Sequence, residues 1–223
     1  METQKHIHMI AISGVGMAAL AGLLKSAGHH VAGSDKAIFP PMSTLLEKAG
    51  IVCRNGFHAD HIAPETDLVI IGNAVSRDNP EVLAAAERGL PCYSLPQALS
   101  LLFLEKRLPL VVVGTHGKTT TTSQLGFVLS SAGLDPSIMV GGIMKNFDTN
   151  SRLGKGNHFV IEGDEYNSAF FDQGAKFLHY KPHHAILTSV ELDHCDIYPD
   201  FSSIQNAFKQ FVRLIPKEGF LVA

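Results

Sequence analysis

Between residues 110 and 132 the sequence spells out a strand, a glycine turn and a helix in that order, and this junction limits what the chain can fold into. Leu110-Val111-Val112-Val113 is an apolar run of strand length, Gly114-Thr115-His116-Gly117-Lys118-Thr119-Thr120 is the turn, and Thr121 to Ala132 reads as a helix. At such a junction main-chain N–H groups and the positive helix end converge on phosphate oxygens. A lysine adds a full charge and a hydroxyl reaches a metal. Lys118 and Thr119 have the residue types for those two roles. The general pattern asks for a glycine at the position held by Val112, so the match is to the second half of the loop.

Composition narrows the setting. The chain has 223 residues, 45% of them hydrophobic, and a net charge of -3, which suits one large or two modest globular domains. That charge gives no footprint for nucleic acid or an anionic membrane. No apolar run reaches membrane-spanning length, and Met1 to Lys5 lacks the apolar core of a secretion signal, so a cytoplasmic location is expected. Cys53, Cys92 and Cys195 are scattered and odd in number, as reduced thiols are in a cytosolic protein. Most of the 12 histidines fall singly or as sequence neighbours rather than at metal-pair spacing, and most are expected to be surface or packing residues.

The first half alternates strands and helices. Ile7 to Ile12 reads as a strand, Ser13-Gly14-Val15-Gly16-Met17-Ala18-Ala19 as a turn opening a helix that Gly28 closes, and His30 to Gly33 as a second strand ending at Ser34-Asp35. Gly14-x-Gly16-x-x-Ala19, with an acid about twenty residues on, has the form of a dinucleotide-binding turn, and does not distinguish nicotinamide from another nucleotide diphosphate. Ser43 reads as the N-cap of a helix to Ala49, Asp67 to Ile71 as a buried strand leading to Gly72-Asn73, Asn79-Pro80 as a helix start, Pro91 to Ser94 as a strand, and Pro96 to Leu104 as a helix. These elements predict a Rossmann-like, doubly wound α/β domain over residues 1–106.

After the charged joint Glu105-Lys106-Arg107, the loop strand begins a second α/β domain of the P-loop ATPase type, residues 107–223, incomplete at its carboxyl end. Ser137 to Val140 is a strand closed by Gly141-Gly142, and 143–157 reads as loop. His158 to Ile161 is a strand delivering Glu162-Gly163-Asp164-Glu165, where a phosphate-loop enzyme places a magnesium ligand. Residues 173–183 resist assignment. Ala185 to Ser189 delivers Glu191 and Asp193-His194-Cys195-Asp196 to the same edge. Adjacent side chains point in different directions, so those four make a poor zinc site, and magnesium is favoured. Phe201 to Leu214 carries a core-facing helical stripe.

Gly14-Val15-Gly16-Met17, Gly33-Ser34-Asp35, Gly114 to Thr121, Glu162 to Glu165 and Glu191-x-Asp193-His194 occur in the order found in the Mur ligases, ATP-dependent amide-forming enzymes of bacterial cell-wall synthesis, and the whole chain resembles that family. The resemblance implies that ATP phosphorylates the lactyl carboxylate of UDP-N-acetylmuramate and that an amine displaces phosphate from the acyl phosphate. It further implies that Gly114 to Thr120 hold ATP, that Lys118 contacts the β- and γ-phosphates, that Thr119 and Glu162 hold one Mg2+, and that His194 holds a second. Gly14, Val15, Gly16 and Met17 would receive the UDP diphosphate, with Asp35, Asn73 and Ser94 around uridine. Phe39 to Thr44, Ile71 to Arg77 and Phe170-Phe171-Asp172 through His179-Tyr180 resemble the recycling branch, whose amine is the murein tripeptide L-alanyl-γ-D-glutamyl-meso-diaminopimelate. The alternative amine is L-alanine, as in de novo synthesis. Two departures stand out. Asn167 replaces an expected aspartate, and the family's third, carboxyl-terminal domain lies beyond this sequence, so the chain alone is expected to bind UDP-N-acetylmuramate without turnover. An NAD-dependent oxidoreductase, the reading from a different class, leaves Gly117-Lys118-Thr119 unexplained.

Overall fold

Short apolar runs alternating with capped helices give the first unit its sheet. In the computed structural model, which describes residues 4–192 and 197–223, strands β1 (His6–Ile10), β2 (His30–Asp35), β3 (Val52–Asn55), β4 (Leu68–Ile71) and β5 (Cys92–Ser94) are joined in the order β3-β2-β1-β4-β5. All four pairings are parallel. Helices α1 (Val15–Ser26), α2 (Met42–Lys48), α3 (Pro80–Glu87) and α4 (Leu95–Leu99) connect or follow them. Strand β4 is apolar throughout and β1 carries Ile7, Met9 and Ile10, as suits strands covered on both faces: Met9, Ile10, Val69 and Ile70 are fully buried. The strand order reverses between β1 and β4, and ligands in open parallel sheets gather outside the carboxyl ends at that place.

Several local expectations hold, and others are displaced for identifiable reasons. Asn79 caps α3, its side chain accepting from the Glu81 N–H at 2.9 Å, with Pro80 in the first turn. The first strand stops at Ile10 instead of Ile12 because Ala11 turns to a φ of 64°. Pro41, not Ser43, stands at the N-cap of α2. The helix expected from Pro96 to Leu104 is α4 followed by a π-helical turn, Ser100–Leu104.

The second unit is a six-stranded sheet. Strands β6 (Leu108–Val113), β7 (Ser137–Met144), β8 (Thr149–Arg152), β9 (His158–Glu162), β12 (His184–Leu187) and β13 (Phe220–Val222) run in the order β13-β12-β6-β9-β7-β8. Only β8 is antiparallel to its neighbour. Part of 143–157, expected as loop, is therefore a hairpin. Gly141-Gly142 does not end the strand but lies within it, and the register against β8 shifts between Met139 and Met144. Helix α5 (Lys118–Ser131) lays Leu125 and Leu129 on a core of Ile138, Val140, Met144 and Val160. Its threonine-rich start is helical, with the Thr122 and Ser123 hydroxyls turned back to donate to the Lys118 and Thr119 carbonyls at 2.8 and 2.7 Å. Helix α6 (Phe201–Val212), capped by Asp200, buries the expected stripe of Ile204, Phe208 and Phe211.

Residues 173–183, which local pattern leaves unassigned, begin within β11 (Asp172–Ala175), the partner of β10 (Asn167–Ala169) in a two-stranded ribbon, and continue into a 3-10 turn, Lys176–His179. The chain divides into two units, Met1–Ala98 with Ser168–Gln173, and Leu99–Asn167 with Gly174–Ala223. Among the described residues no helix is long and apolar enough to cross a membrane.

Candidate functional site

Strand order assembles the site of the second unit. β6 lies between β9 and β12, with Val112 opposite Glu162 and Val113 opposite Leu187. The loop that leaves β6 is thus flanked by the acids after β9 and the hydroxyls after β12. Val112 is a fully buried strand residue, so the glycine missing from the general pattern is supplied two positions later. Gly114 has a φ of 133° and passes so close to Thr188 that a Cβ would meet Oγ1 at 2.2 Å, which only glycine permits. The loop is tied to the neighbouring strand end: the Thr115 N–H donates to the Ser189 carbonyl at 3.0 Å and the His116 N–H to Ser189 Oγ at 3.2 Å. Thr188 Oγ1 donates to the His116 carbonyl at 2.5 Å. Neither Thr188 nor Ser189 was singled out as a site residue from sequence, since only the pairing of β6 with β12 reveals their role.

Within this frame Gly117 is the N-cap of α5, and Lys118 and Thr119 open its first turn. Lys118 Nζ donates to the Gly114 carbonyl at 2.7 Å and lies 3.2 Å from the carboxylate of the buried Glu165. Thr119 Oγ1 donates to Glu162 Oε2 at 2.6 Å. Burial pushes the Glu162 carboxyl above its usual value; the Thr119 hydrogen bond opposes the shift and the Asp164 charge adds to it, while the Gly141 N–H and Lys118 pull the other way. A Cβ on Gly141 would meet Glu162 Oε1 at 2.1 Å, so the second half of β7 is shaped around this carboxylate. Thr120 and His116 are exposed, and His116 Nε2 lies 3.4 Å from Glu191.

Thr119 and Glu162 form an oxygen-only donor pair of the kind that magnesium takes. Among the described residues no group of three or more His, Cys, Asp or Glu side chains forms a metal cage. His194 and its neighbours Asp193, Cys195 and Asp196 lie outside the described residues. Asn167, the departure from the expected aspartate, accepts from the Gly174 N–H at 2.9 Å across its own ribbon.

In the first unit the sequence-predicted residues lie at the carboxyl ends of four strands. Gly14 is the N-cap of α1, Val15 and Gly16 open the helix, and Met17 is buried beneath it. Asp35, at the end of β2, is joined to this turn: its Oδ2 accepts from the Ser13 N–H at 2.9 Å and from Ser13 Oγ at 2.5 Å. From sequence, Ser13 shows itself only as part of the turn. Asn73 is exposed just beyond β4. Ser94, at the end of β5, is buried and donates to Asp172 Oδ2 at 2.5 Å. Phe170, in the same short segment, packs on the apolar cluster of this unit beneath the Arg77 guanidinium, 5.8 Å from the ring centroid.

One cluster had no sequence signal. Glu81 is fully buried and accepts from His8 Nε2 at 2.9 Å, Ser34 Oγ at 2.5 Å, His61 Nδ1 at 2.9 Å and the His58 N–H at 3.1 Å. Burial pushes its carboxyl up, but the hydrogen bonds from His8 and Ser34, the His8 charge and the His58 N–H outweigh that and leave it below the usual value.

The chain matches the family profile described as Mur ligase family, catalytic domain, over residues 6–107, and that of the Mur ligase middle domain over residues 112–223. It is 46% identical over 216 residues to the UDP-N-acetylmuramate:L-alanyl-gamma-D-glutamyl-meso-2,6-diaminoheptandioate ligase of Escherichia coli (strain K12), covering 97% of this chain and 47% of that protein. To the UDP-N-acetylmuramate:L-alanine ligase of Carboxydothermus hydrogenoformans it is 39% identical, over 96% of this chain and 44% of that protein. The crystal structure of a UDP-N-acetylmuramate:L-alanyl-gamma-D-glutamyl-meso-diaminopimelate ligase from Neisseria meningitides superposes with a TM-score of 0.92 at 44% identity, covering 98% of this chain and 71% of that one. The chain spans about half the length of the curated relatives it matches. With a Mur ligase profile accounting for each half of its sequence, the chain belongs to the Mur ligase family.

Proposed function

We propose that this chain supplies the UDP-N-acetylmuramate-binding and ATP-binding parts of a ligase that joins UDP-N-acetylmuramate to L-alanyl-γ-D-glutamyl-meso-diaminopimelate in the recycling of peptidoglycan in the bacterial cytoplasm. The observation that carries the reading is the loop of the second unit, where Lys118 and the Thr119–Glu162 pair, 2.6 Å apart, stand together at the head of α5. Within the loop from Gly114 to Thr120, Lys118 and the N–H groups at the head of α5, from Gly117 to Thr120, receive the phosphates of ATP, while those of Thr115 and His116 tie the loop to Ser189. Thr119 and Glu162 hold one magnesium ion, and His194 is assigned a second by family resemblance. Bound magnesium neutralises phosphate charge during transfer. The first unit takes the UDP diphosphate at the turn from Gly14 to Met17. Ser13 and Asp35 shape that turn, Asn73 borders the uridine, and Ser94, buried against Asp172, stands behind that surface. The chain's own contribution is positioning and charge, because attack of a carboxylate on ATP and displacement by an amine require no protein nucleophile.

The tripeptide is preferred over L-alanine because identity is higher to the relatives named for the tripeptide than to those named for L-alanine. Calorimetric titration of the 223-residue chain tests the reading directly. UDP-N-acetylmuramate and the magnesium complex of a non-hydrolysable ATP analogue should each bind with one-to-one stoichiometry, independently of NADH. Tight NADH binding without UDP-N-acetylmuramate binding would overturn the proposal in favour of an oxidoreductase.

A further inference from the structure

Glu165 is the acid of the Glu162 to Glu165 run that the reaction as described leaves without a task. Its side chain is fully buried, which for an ionised carboxylate is costly unless a cation answers it. The cation is Lys118 of the phosphate loop, whose Nζ lies 3.2 Å from the carboxylate. Lys118 does not need Glu165 to be aimed, because the Gly114 carbonyl at 2.7 Å already fixes the ammonium over the loop.

Glu165 is also held independently of the lysine. Tyr198 Oη donates to the Glu165 carbonyl at 2.8 Å, and Lys176 Nζ bridges to Asp164 at 3.2 Å. The Lys176 N–H donates to the Tyr166 carbonyl at 3.1 Å and the Phe177 N–H to the Asp164 carbonyl at 3.3 Å. The main chain that carries the acid is therefore braced on both sides of Glu165 by bonds that do not involve the lysine. Asp164 faces Lys176, and the Glu165 carboxylate faces Lys118.

We propose that Glu165 is a fixed counter-ion that competes with nucleotide phosphates for Lys118. It is a positioning residue that lowers the affinity of the loop for polyphosphate and takes the lysine back on release. The inference rests on the reading of this loop as the ATP site. Removing the negative charge while keeping the shape should therefore tighten nucleotide binding, the opposite of what loss of a merely structural acid does. Coulomb coupling between charges a few ångströms apart in a partly buried site makes a gain of about three- to tenfold reasonable.

The test is calorimetric titration of Mg·AMP-PNP into the 223-residue wild-type chain and its Glu165→Gln and Glu165→Asp variants, with thermal unfolding followed in parallel. Glu165→Gln should bind three- to tenfold more tightly than wild type. Glu165→Asp, which withdraws the carboxylate without removing it, should shift in the same direction by less, and this comparison decides the matter if the glutamine variant does not fold. Unchanged or weaker binding in the folded variants overturns the counter-ion role while leaving the ATP site intact. Absence of AMP-PNP binding in folded wild type overturns the reading of the site, and the inference with it.

Discussion

Two adjacent glycines in β7 give opposite expectations for the same substitution. A Cβ placed on Gly141 stands 2.1 Å from Glu162 Oε1 and 3.2 Å from its Cδ, whereas one on Gly142 meets nothing nearer than Thr119 Cγ2 at 3.4 Å. Neither residue has a positive φ, so alanine brings no backbone strain at either position. In Gly141→Ala the carboxylate must retreat by about 1 Å before any ordinary contact distance is reached. That retreat disrupts the 2.6 Å bond from Thr119 and the bond from the Gly141 N–H. Hydrogen bonds to a charged group contribute about 1.5–3 kcal/mol, so the magnesium-dependent part of nucleotide affinity should fall by roughly 10- to 150-fold. Displacements of about 1 Å at a catalytic centre cost a similar factor, on the order of a hundredfold in rate. The assay is calorimetric titration of AMP-PNP with and without magnesium. Gly141→Ala should lose most of the magnesium enhancement, and Gly142→Ala should stay within about twofold of wild type, since only ordinary van der Waals contact is added. The reasoning fails if Gly141→Ala keeps the full enhancement, or if both variants are damaged equally, because the fault would then lie in the strand and not in the carboxylate.

Further outcomes follow from the same geometry. Lys118→Ala removes the loop's ammonium and should weaken Mg·AMP-PNP binding by about 2–3 kcal/mol, roughly 30- to 150-fold, by the same titration. Glu81→Gln turns one carboxylate oxygen into a donor facing existing donors, and should cost about 2–3 kcal/mol in urea unfolding at pH 7. Because the folded carboxyl of Glu81 sits below its usual value, its stabilisation is present above the unfolded pKa and is lost as pH falls through the folded one. The gap between wild type and Glu81→Gln should therefore narrow in strong acid, and a constant gap would contradict the assignment. Tyr198, pushed up to about 12 by burial and by the Glu165 charge, should appear as a late step in an absorbance titration that Tyr198→Phe removes. Its stabilisation is present below the unfolded tyrosine pKa and lost as pH rises through about 12.

Local pattern carried most of the architecture and the outline of the site. The loop from Gly114 to Thr120, the strand ends at Asp35, Asn73 and Ser94, and the Asn79 cap are each written in a few consecutive residues, where turn chemistry and burial act directly. What escaped depends on neighbours distant in sequence. Gly141-Gly142 has the look of a strand terminator, and becomes a seat for Glu162 only because β9 is inserted between β6 and β7. Ser189 reaches the loop through the pairing of β12 with β6, and Asp172 meets Ser94 across 78 positions of sequence. His8 and His61 carry no spacing signal, since the residue that joins them, Glu81, lies on a third element.

The two strand–turn–helix junctions also differ in a way that bears on what each can hold. The first-unit turn is tied by an acid, Asp35, through Ser13, and has no cation in the run from Ser13 to Ala19. On the proposed reading a diphosphate there is held by main-chain N–H groups and the helix end, a neutral grip suited to a ligand that stays bound by its whole length. The second-unit loop is tied by the hydroxyls of Thr188 and Ser189 and adds Lys118, Thr119 and the acids after β9. There an anion meets opposing charges within a few ångströms, so its binding energy changes sharply as phosphate charge moves or departs. A junction of that second kind is suited to transferring a phosphoryl group, and one of the first kind to presenting the group that receives it.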